Sequence, residues 1–279
     1  MENRIGVFGN GFVGSAVQFG FSPSTGCDYE VRVYDKDPSK SVDSIEETVN
    51  KSDFIFLSVP TPSNMDGTIN LDTVDKALSD INNVSKKDNI ILLRSTMIPG
   101  STRAFQNKYP DLNLVFNPEF LRERSAEVDF IENNTLLAIG TEDDAVYNIV
   151  KESHGDYPQS YAKLSPTEAE LLKYYSNVYN ALRIIFANSM YEVCESLGAN
   201  YEKIRNAFVK RGTTTGQYTL VNKNWRGYAG VCLPKDTKAL AGLVKELGLD
   251  LKLFETIDKE NDKFAATVPG GMRLWAQLW

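Results

Sequence analysis

The sequence predicts an α/β protein with a doubly wound parallel sheet, followed by a long central helix and a small helical region. Two observations carry this prediction. Short apolar runs alternate with segments of helical spacing up to residue 162, which is the pattern of strand–helix–strand units. A capped helical pattern of about 30 residues then follows. We therefore expect two domains, residues 1–162 and residues 163–279.

Six apolar runs have the length and composition of strands. Helical spacing marks stretches between them, such as residues 71–78. Polar or glycine-containing clusters follow nearly every run, at the end of the sheet where parallel strands bind ligands. The runs are residues 4–8, 31–34, 54–59, 90–93, 114–116 and 135–139.

The long helix has a clear start. Ser165 and Glu168 form a capping-box signature, with Pro166 at the first helical position, and helical spacing continues to about Ser196. The helix is rich in Leu, Tyr, Ile and Phe, so we expect it to connect the domains and to bury a face against a second copy of the chain. Further helices are expected at 201–209 and 237–247, and the segment from Phe264 shows no clear pattern.

Composition excludes several classes. The chain has 279 residues, 42% hydrophobic and 24% charged, which is ordinary for a globular protein. No apolar run approaches the ~18 residues of a membrane span, and a net charge of −7 argues against a general nucleic-acid partner. Three scattered cysteines and no zinc-type spacing predict neither disulfides nor a metal site, and favour a cytoplasmic location.

The chain contains one histidine, His154, in the polar stretch Ser-His-Gly-Asp-Tyr-Pro. We expect it to be a solvated loop residue. If the chain is an enzyme, Lys, Asp, Glu or bound water must then move the protons.

Gly9-x-Gly11-x-x-Gly14 follows the first strand and opens a helix, and Asp35 ends the next strand. This context is that of a dinucleotide fingerprint, in which glycines admit a pyrophosphate to the helix N-terminus. Asp35 would accept a hydrogen bond from a ribose 2′-hydroxyl, which favours NAD over NADP. The alternative is a tight structural turn.

Residues 227–238 place a thiol, an ammonium and a carboxylate within five positions. Pro234 suits the first helical position, so Leu233 would be the cap and Cys232 would lie just outside the helix, near Lys235. A helix N-terminus and an ammonium favour the thiolate that covalent catalysis at a carbonyl needs. The alternative is a buried structural cysteine.

Three further groups are candidates for the same site. Lys173 and Asn177, four apart, share one face of the long helix. Glu119 and Glu123 follow a strand, and Thr96 ends another. Taken alone, Lys173 with Asn177 and Glu119 with Glu123 would be solvated pairs, and Thr96 would be a helix cap. Taken together with Cys232, these groups would converge above the sheet.

These motifs resemble the UDP-glucose/GDP-mannose dehydrogenases, nucleotide-sugar enzymes that oxidise a sugar C6 alcohol to a carboxylate in two NAD-dependent steps. The resemblance covers about residues 4–260, and its blocks come in family order. They are residues 7–14, 59–62, 94–96, 116–123, 170–177, 186–188 and 227–238.

The resemblance implies catalytic roles. Cys232 would capture the intermediate aldehyde as a thiohemiacetal, which becomes a thioester. Lys173, assisted by Asn177, would stabilise developing oxygen charge, and Glu123 would assist thioester hydrolysis. A water involved in proton transfer would be positioned by Asp236 and Thr96.

The resemblance also implies binding residues. The implied NAD contacts are Gly9, Gly11, Phe12, Val13, Gly14, Asp35, Pro60, Thr61, Ser95, Thr96 and Lys235. The implied substrate contacts are Glu119, Phe120, Leu121, Lys173, Asn177, Lys223 and Gly227. A homodimer is implied as well.

The chain departs from the family pattern in three ways. Most of the family's C-terminal nucleotide-binding domain is expected to be absent, the segment between Asp35 and Phe54 is short, and Ala229 replaces a glycine. Residues 94–100 are similar to the GDP-mannose branch, whereas Lys223 and residues 234–238 favour UDP-glucose, the substrate we expect. GDP-mannose oxidation, a β-hydroxyacid-type dehydrogenase and a non-catalytic NAD- or sugar-nucleotide-binding homologue remain open alternatives.

Overall fold

The computed structural model describes residues 4–64, 66–221, 223–224 and 226–265. The chain divides into two compact units. The first unit comprises Met1–Pro62 and Ile69–Lys173, and the second comprises Ser63–Thr68 and Tyr174–Trp279. Among the described residues, no helix combines the length and the apolarity that crossing a membrane requires.

The first unit is built on a seven-stranded sheet of order β2-β1-β3-β4-β5-β6-β7. Neighbouring strands are parallel except β5 and β6, which pair antiparallel at Phe116 and Gly140. The strands are β1 (Arg4–Phe8), β2 (Glu30–Tyr34), β3 (Phe54–Leu57), β4 (Ile90–Leu93), β5 (Asn113–Phe116), β6 (Leu137–Gly140) and β7 (Tyr161–Leu164).

Ten α-helices are described, and two short 3₁₀ turns lie at Pro23–Thr25 and Glu123–Ser125. The helices are α1 (Phe12–Gly20), α2 (Ile45–Asn50), α3 (Asp72–Val84), α4 (Ser101–Lys108), α5 (Ala126–Ile131), α6 (Asp144–Ser153), α7 (Pro166–Ser196), α8 (Tyr201–Lys210), α9 (Cys232–Glu246) and α10 (Leu253–Ala265).

The doubly wound sheet is confirmed, and β3 shows why its strands were visible in the sequence. Phe54 and Phe56 point into the apolar cluster on one face of the sheet, and Ile55 and Leu57 into the cluster on the other. A strand buried on both faces carries a continuous apolar run. The antiparallel pairing of β5 with β6 departs from the expected all-parallel sheet.

The long helix is confirmed, and it is 31 residues long. Its capping box forms as expected: Glu168 N donates to Ser165 Oγ at 3.3 Å, and Ser165 N donates to Glu168 Oε2 at 2.8 Å. The second unit has its own core, in which Val178, Ile185 and neighbours on α7 cluster with Tyr228 and with Ile257 of α10. Helix α10 was not expected, and the tail beyond it, residues 266–279, lies outside the described residues.

Candidate active site

The glycine turn between β1 and α1 has the shape of a dinucleotide cradle. Gly9 has φ +95°, and a Cβ there would lie 2.5 Å from Ser58 O. A Cβ on Gly14 would collide with the carbonyl oxygen of Gly9, whereas a Cβ on Gly11 would meet no described atom within 4 Å. The first and third glycines are therefore required by the fold itself, and the second leaves open surface at the N-terminus of α1.

Asp35 lies beside this turn, directly after β2. Its Oδ2 accepts a hydrogen bond from Asn10 N at 2.6 Å, and its Oδ1 accepts one from Asp37 N at 2.8 Å. The carboxylate is thus fixed next to the glycine turn, at the place where a ribose hydroxyl is bound in such folds and where a phosphate would be repelled.

The other predicted NAD residues of the first unit follow β3 and β4. Ser95 Oγ donates to Val59 O at 2.7 Å and accepts from Val59 N at 3.0 Å, which joins the segments after these two strands. Pro60, Thr61 and Thr96 lie in the same two segments. Phe12 and Val13 begin α1.

Lys235 is placed differently from the other predicted NAD residues. It belongs to the second unit, and its Nζ pairs with Asp236 Oδ1 at 2.7 Å. Its proposed contact with NAD stays a prediction.

A buried ion pair lies at the end of β5. Lys173 Nζ donates to Glu119 Oε1 at 2.8 Å and also to the Glu119 main-chain oxygen. Leu121 N donates to the second carboxylate oxygen at 2.8 Å, and the ammonium lies 5.7 Å from the centre of the Phe120 ring. Glu119 is therefore a buried, held carboxylate, and its interpretation as half of a solvated acidic pair is wrong.

Glu123, the other member of that acidic pair, begins a 3₁₀ turn and is exposed. The two glutamates therefore have different environments: Glu119 is buried and Glu123 is exposed to solvent. Glu119 is suited to fixing a cation, and Glu123 to exchanging protons with solvent.

A second polar group lies in the second unit. Asn177 Nδ2 donates to Asp236 Oδ2 at 2.6 Å, and Lys235 holds the other carboxylate oxygen. Asp236 is completely buried. A buried carboxylate that is paired on both oxygens is a rigid anchor, so the Asn177 amide is held in one orientation.

Cys232 is the first residue of α9, and it is exposed. The expected cap at Leu233 is wrong: the N-cap is Val231, and Pro234 lies inside the first turn. Proline is tolerated there because the first N–H groups of a helix have no intrahelical partner. The thiol still lies at a helix N-terminus, one turn before Asp236 on the same helix face.

The loop before Cys232 is fixed by two asparagines that we had not singled out. Asn261 Oδ1 accepts from Tyr228 N at 2.7 Å, and Asn261 Nδ2 donates to Tyr228 O at 3.0 Å. Arg226 Nε donates to Asn188 Oδ1 at 2.6 Å. Gly227 has φ +71°, and a Cβ there would lie 2.5 Å from Asn261 Oδ1, so the fold itself requires this glycine.

The signal for these asparagines was weak. Asn188 belongs to one of the matching motif blocks, but the sequence around an asparagine in an apolar helix does not indicate which group its side chain binds. Lys223, a predicted substrate contact, lines a surface cavity of about 680 Å³ together with residues such as Tyr191, Tyr201 and Arg205.

The expectation for His154 is wrong. Its side chain is 1% exposed and packs against the rings of Phe21, Phe56 and Phe130. Nδ1 lies 2.9 Å from Val150 O. Burial lowers the pKa of His154 to about 4, so the imidazole is neutral at pH 7. His154 is the C-cap residue of α6. The packing of α6 against the sheet buries the histidine, although its neighbours in the sequence are polar.

The sheet, the open glycine turn and the adjoining carboxylate define a dinucleotide-binding α/β protein. Residues 40–156 match the model of the UDP-glucose/GDP-mannose dehydrogenase family, NAD binding domain, and residues 167–263 match the central domain of the same family. The chain belongs to the UDP-glucose/GDP-mannose dehydrogenase family. The glycine turn lies before the first matched segment and so supports NAD binding independently.

Relatives with assigned names agree with the family. The UDP-glucose 6-dehydrogenase of Rickettsia felis is 30% identical over 240 residues, which cover 81% of this chain and 53% of that protein. The UDP-glucose 6-dehydrogenase YwqF of Bacillus subtilis is 29% identical over 226 residues, 78% of this chain and 50% of that protein. The chain thus spans about half the length of the curated relatives it matches.

A solved structure matches over almost the whole chain. It is the UDP-glucose dehydrogenase of the hyperthermophilic archaeon Pyrobaculum islandicum, with a TM-score of 0.84 and 26% identity. The match covers 94% of this chain and 68% of that chain.

Proposed function

We propose that the chain is an NAD-dependent nucleotide-sugar 6-dehydrogenase that oxidises UDP-glucose to UDP-glucuronate. The observation that carries the proposal is the ammonium of Lys173, buried and fixed by Glu119. A cation held in a dry site stabilises the oxygen charge that develops when an alcohol is oxidised. Relatives at about 30% identity that are named UDP-glucose 6-dehydrogenases favour this substrate.

The fit of the glycine turn to a dinucleotide defines the cofactor site. Gly9, Gly11 and Gly14 would admit the pyrophosphate, and Asp35 would hold the ribose hydroxyls. Phe12, Val13, Pro60, Thr61, Ser95, Thr96 and Lys235 complete the proposed set. When bound, NAD would supply the hydride acceptor for both oxidations at the sugar C6.

The proposed nucleophile is Cys232. Its sulfur adds to the aldehyde carbon, the C=O π bond opens, and the thiol proton ends on the former aldehyde oxygen, which gives the thiohemiacetal. After the second oxidation the carbon is a thioester, which water hydrolyses to the carboxylate with return of the thiol. The N-terminus of α9 favours the thiolate for this role.

We assign the remaining polar groups to the sugar oxygen and to the water molecules of the reaction. Lys173 and Asn177 lie one turn apart on one face of α7, and we assign both to the sugar oxygen. Asp236 with Thr96 positions the water of proton transfer, and Glu123, exposed, assists hydrolysis. The sugar contacts would come from Glu119, Phe120, Leu121, Lys223 and Gly227.

The test is an NADH assay with UDP-glucose, GDP-mannose and UDP-N-acetylmannosamine. We expect two NADH per UDP-glucose and no turnover by Cys232→Ala, with NAD binding unchanged in that variant. NADH from none of the three sugars would overturn the activity, and tight NAD binding without turnover would indicate a binding role. Undiminished activity of Cys232→Ser would favour a β-hydroxyacid-type reaction, which needs no thiol.

We also propose a homodimer, formed through an apolar stripe on α7. Six exposed side chains fall within about 80° of one another around the helix axis. Their exposed fractions range from 43% to 78%. They are Leu171, Tyr175, Tyr179, Phe186 and Val193 of α7 and Leu197, which directly follows the helix.

A further inference from the structure

Glu170 is a buried acidic residue to which the proposed chemistry gives no role. It lies near the start of α7, and its side chain is fully buried. Oε1 accepts hydrogen bonds from Thr102 N at 2.7 Å and from Thr102 Oγ1 at 2.6 Å, and Oε2 accepts one from Gly100 N. A carboxylate in a dry site is costly unless donors satisfy it, and here each oxygen meets a main-chain N–H.

These contacts make Glu170 the N-terminal cap of another helix. Helix α4 begins at Ser101, and its N-cap is Gly100, which has φ +98° and no side chain that could accept from the first N–H groups of the helix. Glu170 supplies the acceptor from α7, and its negative charge faces the positive end of the α4 dipole. The start of α4 is therefore fixed by a residue that lies 68 positions beyond Thr102 in the sequence.

The start of α4 is also the end of the segment that follows β4. This segment, residues 94–100, carries the proposed NAD contacts Ser95 and Thr96. Ser95 Oγ fixes the beginning of the segment to Val59, and Glu170 fixes its end. Thr96 therefore lies between two anchors that neighbouring elements supply.

The same part of α7 also holds the neighbouring strand. Lys173 lies three residues after Glu170, close to it on the helix surface, and pairs with Glu119 at the end of β5. Strands β4 and β5 are adjacent and parallel. One turn of α7 thus fixes the segments that follow two neighbouring strands, through Glu170 after β4 and through Lys173 after β5.

The order of the strands indicates which half of NAD the segment after β4 would meet. β2 and β4 lie on opposite sides of β1, and all three strands run in the same direction. A dinucleotide lies across the carboxyl ends of such strands, and an acid in the place of Asp35 binds the ribose of its adenosine half. The segment after β4 would therefore face the nicotinamide half, where the hydride is accepted.

We propose that Glu170 is a positioning residue of the cofactor site, which holds Ser95 and Thr96 against the nicotinamide half of NAD and fixes them relative to the Lys173 ammonium. This role rests on the proposed function, because it needs NAD at the glycine turn. Glu170 acts through the segment that it fixes and not by contact with the cofactor.

The test is calorimetric titration of Glu170→Gln with NAD and with ADP, which has only the adenosine half. Glutamine keeps the length of the side chain, but its NH₂ group would face one of the two main-chain N–H groups. The segment after β4 should shift, so NAD should bind roughly tenfold more weakly while ADP binds as it does to the wild type. Unchanged NAD affinity with a lower melting temperature would show a role in stability alone and overturns the proposal. An equal loss for NAD and ADP overturns it too.

Asn89→Ala is the matched control, at the other end of β4. Asn89 directly precedes the strand and is 4% exposed, and its Nδ2 donates to Val49 O at 2.7 Å and to Ser52 O at 2.8 Å. Loss of these contacts should lower the melting temperature and leave both affinities unchanged. A loss of NAD affinity as large as that of Glu170→Gln would show a general effect of destabilisation and overturns the positioning role.

Thr102→Val is the second variant, which decides the matter if Glu170→Gln does not fold. It replaces one of the three donors by a methyl group and keeps both main-chain contacts. NAD should bind about threefold more weakly, again with ADP unaffected, and an unchanged NAD affinity overturns the proposal. Wild-type protein that binds no NAD overturns the proposed function and this role with it, whereas normal NAD binding by wild type and variants alike overturns this role alone.

Discussion

Lys173 Nζ lies 2.8 Å from Glu119 Oε1, and the two side chains are only 5% and 8% exposed. This ion pair joins residues 54 positions apart and fixes α7 to the end of β5. Lys173→Met should abolish activity and leave the Glu119 carboxylate buried without its cation, at a cost of about 3–5 kcal/mol in unfolding free energy. Urea unfolding measures this loss.

The double variant Lys173→Met, Glu119→Gln separates the two effects. It should recover most of the stability, because a neutral amide needs no cation, while activity stays absent. A single Lys173→Met variant as stable as the wild type would contradict the burial of the pair.

Gly11 and Gly14 should respond differently to one added methyl group. Gly14→Ala places a Cβ against the Gly9 carbonyl, so the melting temperature should fall by several degrees. Gly11→Ala meets open space, so its melting temperature should stay within about one degree of the wild type while NAD affinity falls about tenfold or more. Calorimetric titration with NAD and a thermal melt of both variants check this. Equal melting temperatures for the two variants would be incompatible with the turn described.

The sheet could be predicted because its strands are buried on both faces. Ile90–Leu93 was placed without error from its continuous apolar run. β7 was missed because Tyr161–Leu164 is only half-buried and includes an exposed lysine, so it lacks the apolar run that marked the other strands. A continuous apolar run in the sequence indicates a buried strand. An edge strand is less buried and therefore lacks such a run.

The candidate site could be predicted only in part. Spacing placed Lys173 and Asn177 on one helix face, but no local pattern shows that Glu119 lies against the first and Asp236 against the second. Those pairings join residues more than 50 positions apart and exist only in the folded chain. The prediction for His154 was wrong for the same reason, since its polar neighbours in sequence are not its neighbours in space.

The buried histidine makes stability depend on pH. An ordinary imidazole has pKa 6.5, and burial lowers that of His154 to about 4. Between these values the unfolded chain binds a proton that the folded chain refuses, so stability is lost as the pH falls from 6.5 towards 4. The loss is about 3 kcal/mol. His154 is the one histidine of the sequence, so its ring signal in an NMR titration should not move above pH 5.5.

His154→Phe is the matched variant for that dependence. Phenylalanine keeps the contacts with the surrounding rings but cannot bind a proton. Between pH 5 and 6.5 the unfolding free energy should therefore fall more steeply with acid in the wild type than in the variant. A histidine signal that titrates near 6.5 would show that the ring is solvated after all.

We expect the apolar stripe on α7 to determine whether the protein is a monomer or a dimer. Tyr175 and Tyr179 are 74% and 51% exposed, and their rings lie 6.4 Å apart on the helix surface. Burial of such aromatic area drives association, and a buried unpaired carboxylate opposes it. Wild-type protein at micromolar concentration should therefore scatter light as twice 31.2 kDa, and Tyr179→Glu as a single chain. Val42→Glu places the same charge on an exposed apolar residue outside the stripe and should leave the mass unchanged. A wild-type protein that stays monomeric would refute the stripe as an interface between two copies.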